Sequence, residues 1–429
     1  MSTADIAALT DFSRKRARWA RVLNRVAKPL AGAIRLDEDS LVAAAKRRTG
    51  LSDFGSDDFW EPLRVFLAAL ESEAQLTPIG RFMARRDVLV KLCNRLEITE
   101  TFKRHPEIAE QEVREPLFIL GLSRSGTSIL HELLAQDPAL RSLESWEARY
   151  PCPPPTREGY DRDPRIRRAH RELRLWPAIV PAYEAMHEMG GRIQAECGDI
   201  TANAFVGDHL VALHQVPSYG AFLAGRDMRP AYELHKRILQ ILQWKTGERR
   251  WVLKAPAHMN WLDTLLGVYP DARIVQTHRD PLQIMGSTVS LIAAIVWMRA
   301  ERVDPGPIQL AFGPAYYEPQ LANVMRLRDA GIAPPERFFD VRFQDLMADP
   351  FGVIRGIYEH FGWAYSGQAE ARMRAYLAEK PRGRFGQHFY AFDDLGLDLE
   401  TERARYAAYQ ERYGVVSEVT AREAARDGG

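Results

Sequence analysis

The chain alternates between two hydrophobic patterns. Leu117–Leu120 is a short apolar run, continuous rather than alternating, as expected of a strand buried on both faces of a parallel sheet, and Trp251–Leu253, Ala272–Thr277 and Phe338–Phe343 read as further strands. Between and before them apolar positions recur at helical spacing: over 12–28, Trp60–Leu70, Val88–Leu96, most of 165–250, Thr288–Met298 and the C-terminal tail. Pro151, Pro153, Pro154 and Pro155 end regular structure, and Pro305, Pro307, Pro314 and Pro319 predict an irregular loop over 304–320 that could cover a site. The pattern gives two to four parallel strands with helices between them, a three-layer α/β/α domain with a central parallel sheet and no second domain. Residues 1–112 read as a helical N-terminal region packed on that core, and 113–429 as the α/β domain with a helical insertion over about 157–250.

Composition narrows the class. With 429 residues, 46% hydrophobic content and a net charge of +1, the chain can bury a large core and has no bulk bias toward nucleic acid. Cys93, Cys152 and Cys197 lie far apart without metal spacing, which fits a reducing cytoplasm. The longest apolar stretch, Leu291–Met298, is too short to span a bilayer, and the N-terminus lacks the apolar core of a signal peptide, so a cytoplasmic protein is expected. Residues 12–28 combine Arg14, Lys15, Arg16, Arg18, Arg21, Arg25 and Lys28 with Phe12, Trp19, Val22, Leu23 and Val26. Such a basic amphipathic helix can lie on an acidic membrane or carrier protein; the favoured reading is a helix packed on the domain with a solvated cationic face.

The chemistry centres on residues 116–131, where a strand breaks at Gly121 into a small-residue turn and resumes as a helix after Gly126. N–H groups of Ser125, Gly126, Thr127 and Ser128 would point outward at the helix start and favour phosphate. A nucleoside-triphosphate loop would carry Lys after the second glycine; here Thr127 and Ser128 follow, and the cation is Arg124, inside the loop. Gly-Leu-Ser-Arg-Ser-Gly-Thr-Ser, including Ser123, resembles the 5'-phosphosulfate loop of sulfotransferases that use 3'-phosphoadenosine 5'-phosphosulfate (PAPS), in the bacterial branch with Arg at this position. Trp251–His258, Ala272–Pro281 and Ser287 resemble the family's central segment and its 3'-phosphate motif, in which an Arg ending a strand is followed eight positions on by Ser; Arg279 and Ser287 keep that spacing.

The resemblance implies a P-loop-like fold and sulfuryl transfer from PAPS, as co-substrate with no metal expected, to a hydroxyl of a small molecule or lipid. In-line displacement needs fixed positive charge, for which Arg124 and Lys254 are the candidates. The acceptor also needs a base. Family branches place it either in the Lys segment, where this chain has Pro256 at the usual position and His258 nearby, or about two turns past the loop helix, where Glu144 and Glu147 fall. Glu147, beside Trp146, ranks first, then His258, then Glu144. Arg279 and Ser287 are expected at the 3'-phosphate, and Arg382 and Arg384 approach a C-terminal Arg-Lys-Gly motif of the cytosolic branch. His278 is expected to be structural. The competing readings are a P-loop kinase or NTPase and a non-catalytic nucleotide-binding protein docking on membranes.

Overall fold

The computed structural model describes residues 10–380 and 392–419. Five parallel strands form one sheet in the order β2-β3-β1-β4-β5. They are β1 (Leu117–Leu120), β2 (Leu140–Ser142), β3 (Arg250–Lys254), β4 (Arg273–His278) and β5 (Phe338–Arg342). β1 lies at the centre, paired Phe118 to Leu253 on one side and to Ile274 on the other. All four of its residues are buried, as a central strand covered by helices on both faces requires. β5 lies at an edge, where exposed Asp340 and Arg342 alternate with buried Phe338 and Val341. The fifth strand, β2, exceeds the expected number. Its three residues are too few to show a pattern, and Arg141 among them is a buried cation held by Glu147.

The N-terminal helices Glu38–Thr49, Trp60–Ser72 and Pro78–Arg104 share one hydrophobic core with the helices on one face of the sheet. Thr77 starts the 27-residue Pro78–Arg104 helix by accepting from the Gly80 N–H. A side chain at Gly80 would collide with the Arg299 carbonyl, so this helix packs by its backbone against the end of the Pro281–Trp297 helix.

Two expectations change. The region 304–320 is helical: Pro305–Phe312 is followed by Pro314–Asp329. Pro305 and Pro314 are first residues of these helices, where a missing N–H costs nothing, and the Asp304 side chain caps the first by accepting from Gly306 N–H. The basic N-terminal stretch is also arranged otherwise. Its α-helix spans Arg18–Val26 and docks through Ala20 and Asn24, while Trp19, Val22, Leu23 and Val26 face outward, so the exposed surface is apolar as well as cationic.

Candidate active site

The loop between β1 and the Thr127–Leu134 helix is shaped by three positive φ angles, at Gly121 (+144°), Arg124 (+68°) and Gly126 (+93°). Gly121 is obligatory: a Cβ there would overlap Thr277 Oγ1 and lie 2.8 Å from the Thr277 carbonyl oxygen. Ser125 is fully buried, and its hydroxyl reaches Leu122 O at 2.5 Å and Thr277 Oγ1 at 2.6 Å, so it ties the loop to β4. Thr127 is buried, whereas Arg124 and Ser128 are exposed. Left-handed backbone at Arg124 turns its carbonyl toward Arg279, whose Nη1 donates to it at 2.9 Å, and its guanidinium donates to Met186 O.

Arg124 and Ser128 open onto a cavity of about 640 Å³ that also meets Lys254 and His187. Lys254 ends β3 beside the loop strand, and its ammonium donates to Glu196 Oε1 at 2.5 Å and lies 3.4 Å from Ser128 Oγ. Burial would raise the Glu196 carboxyl, but the Lys254 charge and hydrogen bond hold it below the usual carboxylate range. Glu196 lines a second cavity of about 250 Å³, which includes Ser123 and is walled by Trp176, Tyr183, Ile292, Ile295 and Phe312. The two cavities share His187, Glu188, Ile193 and Gln194. His187 Nδ1 stands 2.9 Å from Glu188 O, a contact that requires the proton on Nδ1 and leaves Nε2 as the acceptor nitrogen. Burial, followed by the Lys254 charge, lowers the imidazole pKa. A wide cavity that holds Arg124, Lys254 and Lys380 thus meets a narrower one, whose aromatic and aliphatic walls stand beside Asp87, Lys91 and Arg149, at an ammonium, a carboxylate and an imidazole.

None of the three sequence candidates for a base lines either cavity. Glu147 is fully enclosed: one oxygen accepts from Arg141 at 2.6 Å, and the other accepts the Glu144 N–H at 3.1 Å in a capping box that starts the Ser145–Arg149 helix. Glu144 has its pKa pushed up to about 7 by burial and by Glu147, a value that suits a base, but its oxygens take the Trp146 indole N–H at 2.7 Å and face Arg192. His258 is buried among Phe118, Tyr232 and His235, with Nδ1 2.7 Å from the Tyr232 hydroxyl. The sequence reading singled out neither His187 nor any role for Glu196. Both fall in the helical insertion, where no spacing marks a polar residue as cavity-lining. The one available hint was Glu196-Cys197-Gly198, an acid before small residues in an apolar segment.

Arg279 follows β4 and lies over the Phe343 ring at 3.8 Å. Its guanidinium grips Glu418 from the C-terminal segment, with Nε–Oε1 at 2.9 Å and Nη2–Oε2 at 2.8 Å. The Glu418 N–H donates to Asp280 Oδ2 at 2.7 Å, so the segment is tied by backbone as well as side chain. Ser287 is buried in the second turn of the Pro281–Trp297 helix, and no described hydrogen bond joins it to Arg279. His278 is buried and held between Tyr409 and Asp340. Arg382 and Arg384 lie outside the described residues.

The chain is similar to known proteins. The profile of the Sulfotransferase family matches residues 116–367, from β1 through β5 and beyond. Sulfotransferase STF1 from Mycobacterium tuberculosis superposes with a TM-score of 0.75 and 34% identity over 87% of this chain and 98% of its own. Sulfotransferase STF9 from Mycobacterium avium gives 0.79 and 31% over 90% and 98%. Omega-hydroxy-beta-dihydromenaquinone-9 sulfotransferase Stf3 from Mycobacterium bovis is 27% identical over 304 residues, 63% of this chain and 69% of its own. With the loop, the strand-end lysine and the sheet order all inside the matched region, the chain belongs to the sulfotransferase family and is an enzyme of that kind.

Proposed function

We propose that this sulfotransferase moves a sulfuryl group from PAPS to the hydroxyl of an apolar, lipid-like acceptor by in-line displacement. The observation that carries the reading is the junction of the two cavities at Lys254, Glu196 and His187. The donor's 5'-phosphosulfate takes the loop N–H groups and the guanidinium of Arg124. Its 3'-phosphate takes Arg279 in place of the Glu418 carboxylate, an anion already held there by a two-pronged contact. The acceptor's apolar body occupies the cavity walled by Trp176, Ile292 and Ile295. The hydroxylated dihydromenaquinone in the name of Stf3 supports this acceptor class.

Each bond change has a residue. The acceptor oxygen forms the new S–O bond as its proton passes to Nε2 of His187. The bond from sulfur to the 5'-phosphate breaks, and the charge growing on that phosphate is met by Arg124 and Lys254. Glu196 holds the ammonium in place at the end of β3. His187 takes the role of base from Glu147, His258 and Glu144 because it alone of the four reaches both cavities. The setting is a reducing cytoplasm, supported by three free, buried cysteines.

Calorimetric titration with 3'-phosphoadenosine 5'-phosphate, beside ATP with Mg²⁺, tests the donor. The bisphosphate binds, Arg279→Ala weakens it at least tenfold, and ATP with Mg²⁺ does not compete. Equal preference for ATP would return the kinase or NTPase reading, and donor binding without transfer to any hydroxylated lipid would return the non-catalytic one. Single-turnover transfer from labelled PAPS then falls about 10²-fold in Lys254→Met and in His187→Asn. Because the neutral imidazole is the active form and burial, then the Lys254 charge, lowers its pKa, wild-type kcat falls only on the acid side of the ordinary imidazole range, and His187→Asn lacks that acid limb.

A further inference from the structure

Trp19, Val22, Leu23 and Val26 stand at helical positions i, i+3, i+4 and i+7, one stripe along the Arg18–Val26 helix. They are 45%, 54%, 46% and 71% exposed, and Leu30, in the 3₁₀ helix that follows, is 69% exposed. Five of the seven exposed large hydrophobic residues of the described chain therefore sit within twelve positions. Arg18, Arg21 and Arg25 form a second exposed stripe on the same helix, and none of the three has an ion-pair partner among the described residues. Ala20 and Asn24 form the third, docked face, where Asn24 Oδ1 accepts the Ile79 N–H. A packed core helix would bury the apolar stripe, and a solvated one would not carry it.

We infer that this helix seats the enzyme on an anionic lipid bilayer, with the apolar stripe in the acyl boundary and the arginines at the headgroups. Charge selects this occupant, because a cationic stripe beside an apolar one is complementary to a surface that offers negative headgroups over hydrocarbon. The helix is also joined to the walls of the narrow cavity. Ala17 N–H donates to Ile179 O at 2.8 Å, and the Trp19 indole N–H donates to Ala178 O at 3.1 Å. Those two carbonyls belong to the segment that carries the cavity residues Trp176 and Tyr183. Arg16 Nε donates at 2.8 Å to Trp297 O, at the end of the helix that supplies Ile292 and Ile295. Seating the helix therefore brings the aromatic and aliphatic wall of the narrow cavity toward the lipid surface, where an apolar acceptor already resides; that consequence rests on the acceptor class proposed above, whereas the seating does not.

Co-sedimentation of the full chain with vesicles of phosphatidylcholine alone, and with 30% phosphatidylglycerol, tests the seating without donor or acceptor. The protein pellets with the anionic vesicles and stays with the supernatant of the neutral ones. Val22→Asp/Leu23→Asp and, separately, Arg18→Glu/Arg21→Glu/Arg25→Glu each lower the bound fraction at least tenfold, while Tm and affinity for 3'-phosphoadenosine 5'-phosphate stay at wild-type values. Absence from the anionic pellet, or equal pelleting of wild type and both variants, overturns the proposal. So does a dimer in solution that Val22→Asp/Leu23→Asp dissolves, since a second copy would then cover the stripe.

Discussion

At the scale of single residues, Glu147 and His187 show how surroundings decide what an ionisable group can do. Glu147 lies in the sequence window for a base, yet it and Arg141 are enclosed together, with 0% and 2% of their side chains exposed. Glu147→Gln leaves a buried guanidinium without its counter-charge, which costs about 3–5 kcal/mol. The expected result is a Tm lowered by several degrees, with kcat per folded molecule within about twofold of wild type. Loss of kcat at unchanged Tm would return Glu147 to the reaction. The Glu147→Leu/Arg141→Met pair, which removes both charges, recovers most of the Tm. His187 is the reverse case: nothing in its sequence neighbourhood marks it, and its importance comes from standing where two cavities meet.

At the scale of elements, the 121–128 loop and the segment after the Leu399–Tyr413 helix meet at Arg279. The loop depends on an absent side chain. Gly121→Ala would drive a methyl group into Thr277 in a backbone region that L-residues avoid, so it lowers stability by at least ~2 kcal/mol and weakens 3'-phosphoadenosine 5'-phosphate by more than tenfold. Matched urea unfolding and calorimetry read both. The C-terminal segment acts in the opposite sense. Glu418 holds the Arg279 guanidinium, so under the proposed donor pose its carboxylate competes with the 3'-phosphate. Glu418→Gln tightens 3'-phosphoadenosine 5'-phosphate severalfold; unchanged affinity would mean that the donor does not compete for Arg279.

At the scale of the whole molecule, burial of imidazoles sets the response to acid. His131, His214 and His235 are enclosed, and burial lowers each pKa to about 3. Below about pH 6.5 the unfolded chain binds protons there that the native chain does not, so stability is lost as pH falls. At pH 5 each of these groups costs ~2 kcal/mol, a large share of a typical domain's stability. The urea midpoint is therefore expected to drop sharply between pH 7.5 and pH 5; a flat profile would mean that these rings reach water.

What the sequence by itself determined was whatever follows from local pattern. A continuous apolar run marked β1, because a strand covered on both faces has little room for polar residues, and short apolar-rich segments marked β3, β4 and β5. Gly121 and Gly126 marked the loop, because only glycine adopts its backbone cheaply, and the loop with the Lys254 and Arg279 segments marked the family. Tertiary structure decided the rest. β2 is too short to carry a pattern, and Pro305 and Pro314 read as breakers until their places at the first helical turn are seen. The junction of two cavities joins Lys254 of β3 to Glu196 and His187 of the insertion, residues that no local spacing relates. Whether the apolar stripe from Trp19 to Val26 faces core or solvent was likewise open in the sequence. Periodicity fixes which residues share a face, but only the packing of Ala20 and Asn24 against the neighbouring helix fixes which face is left outside.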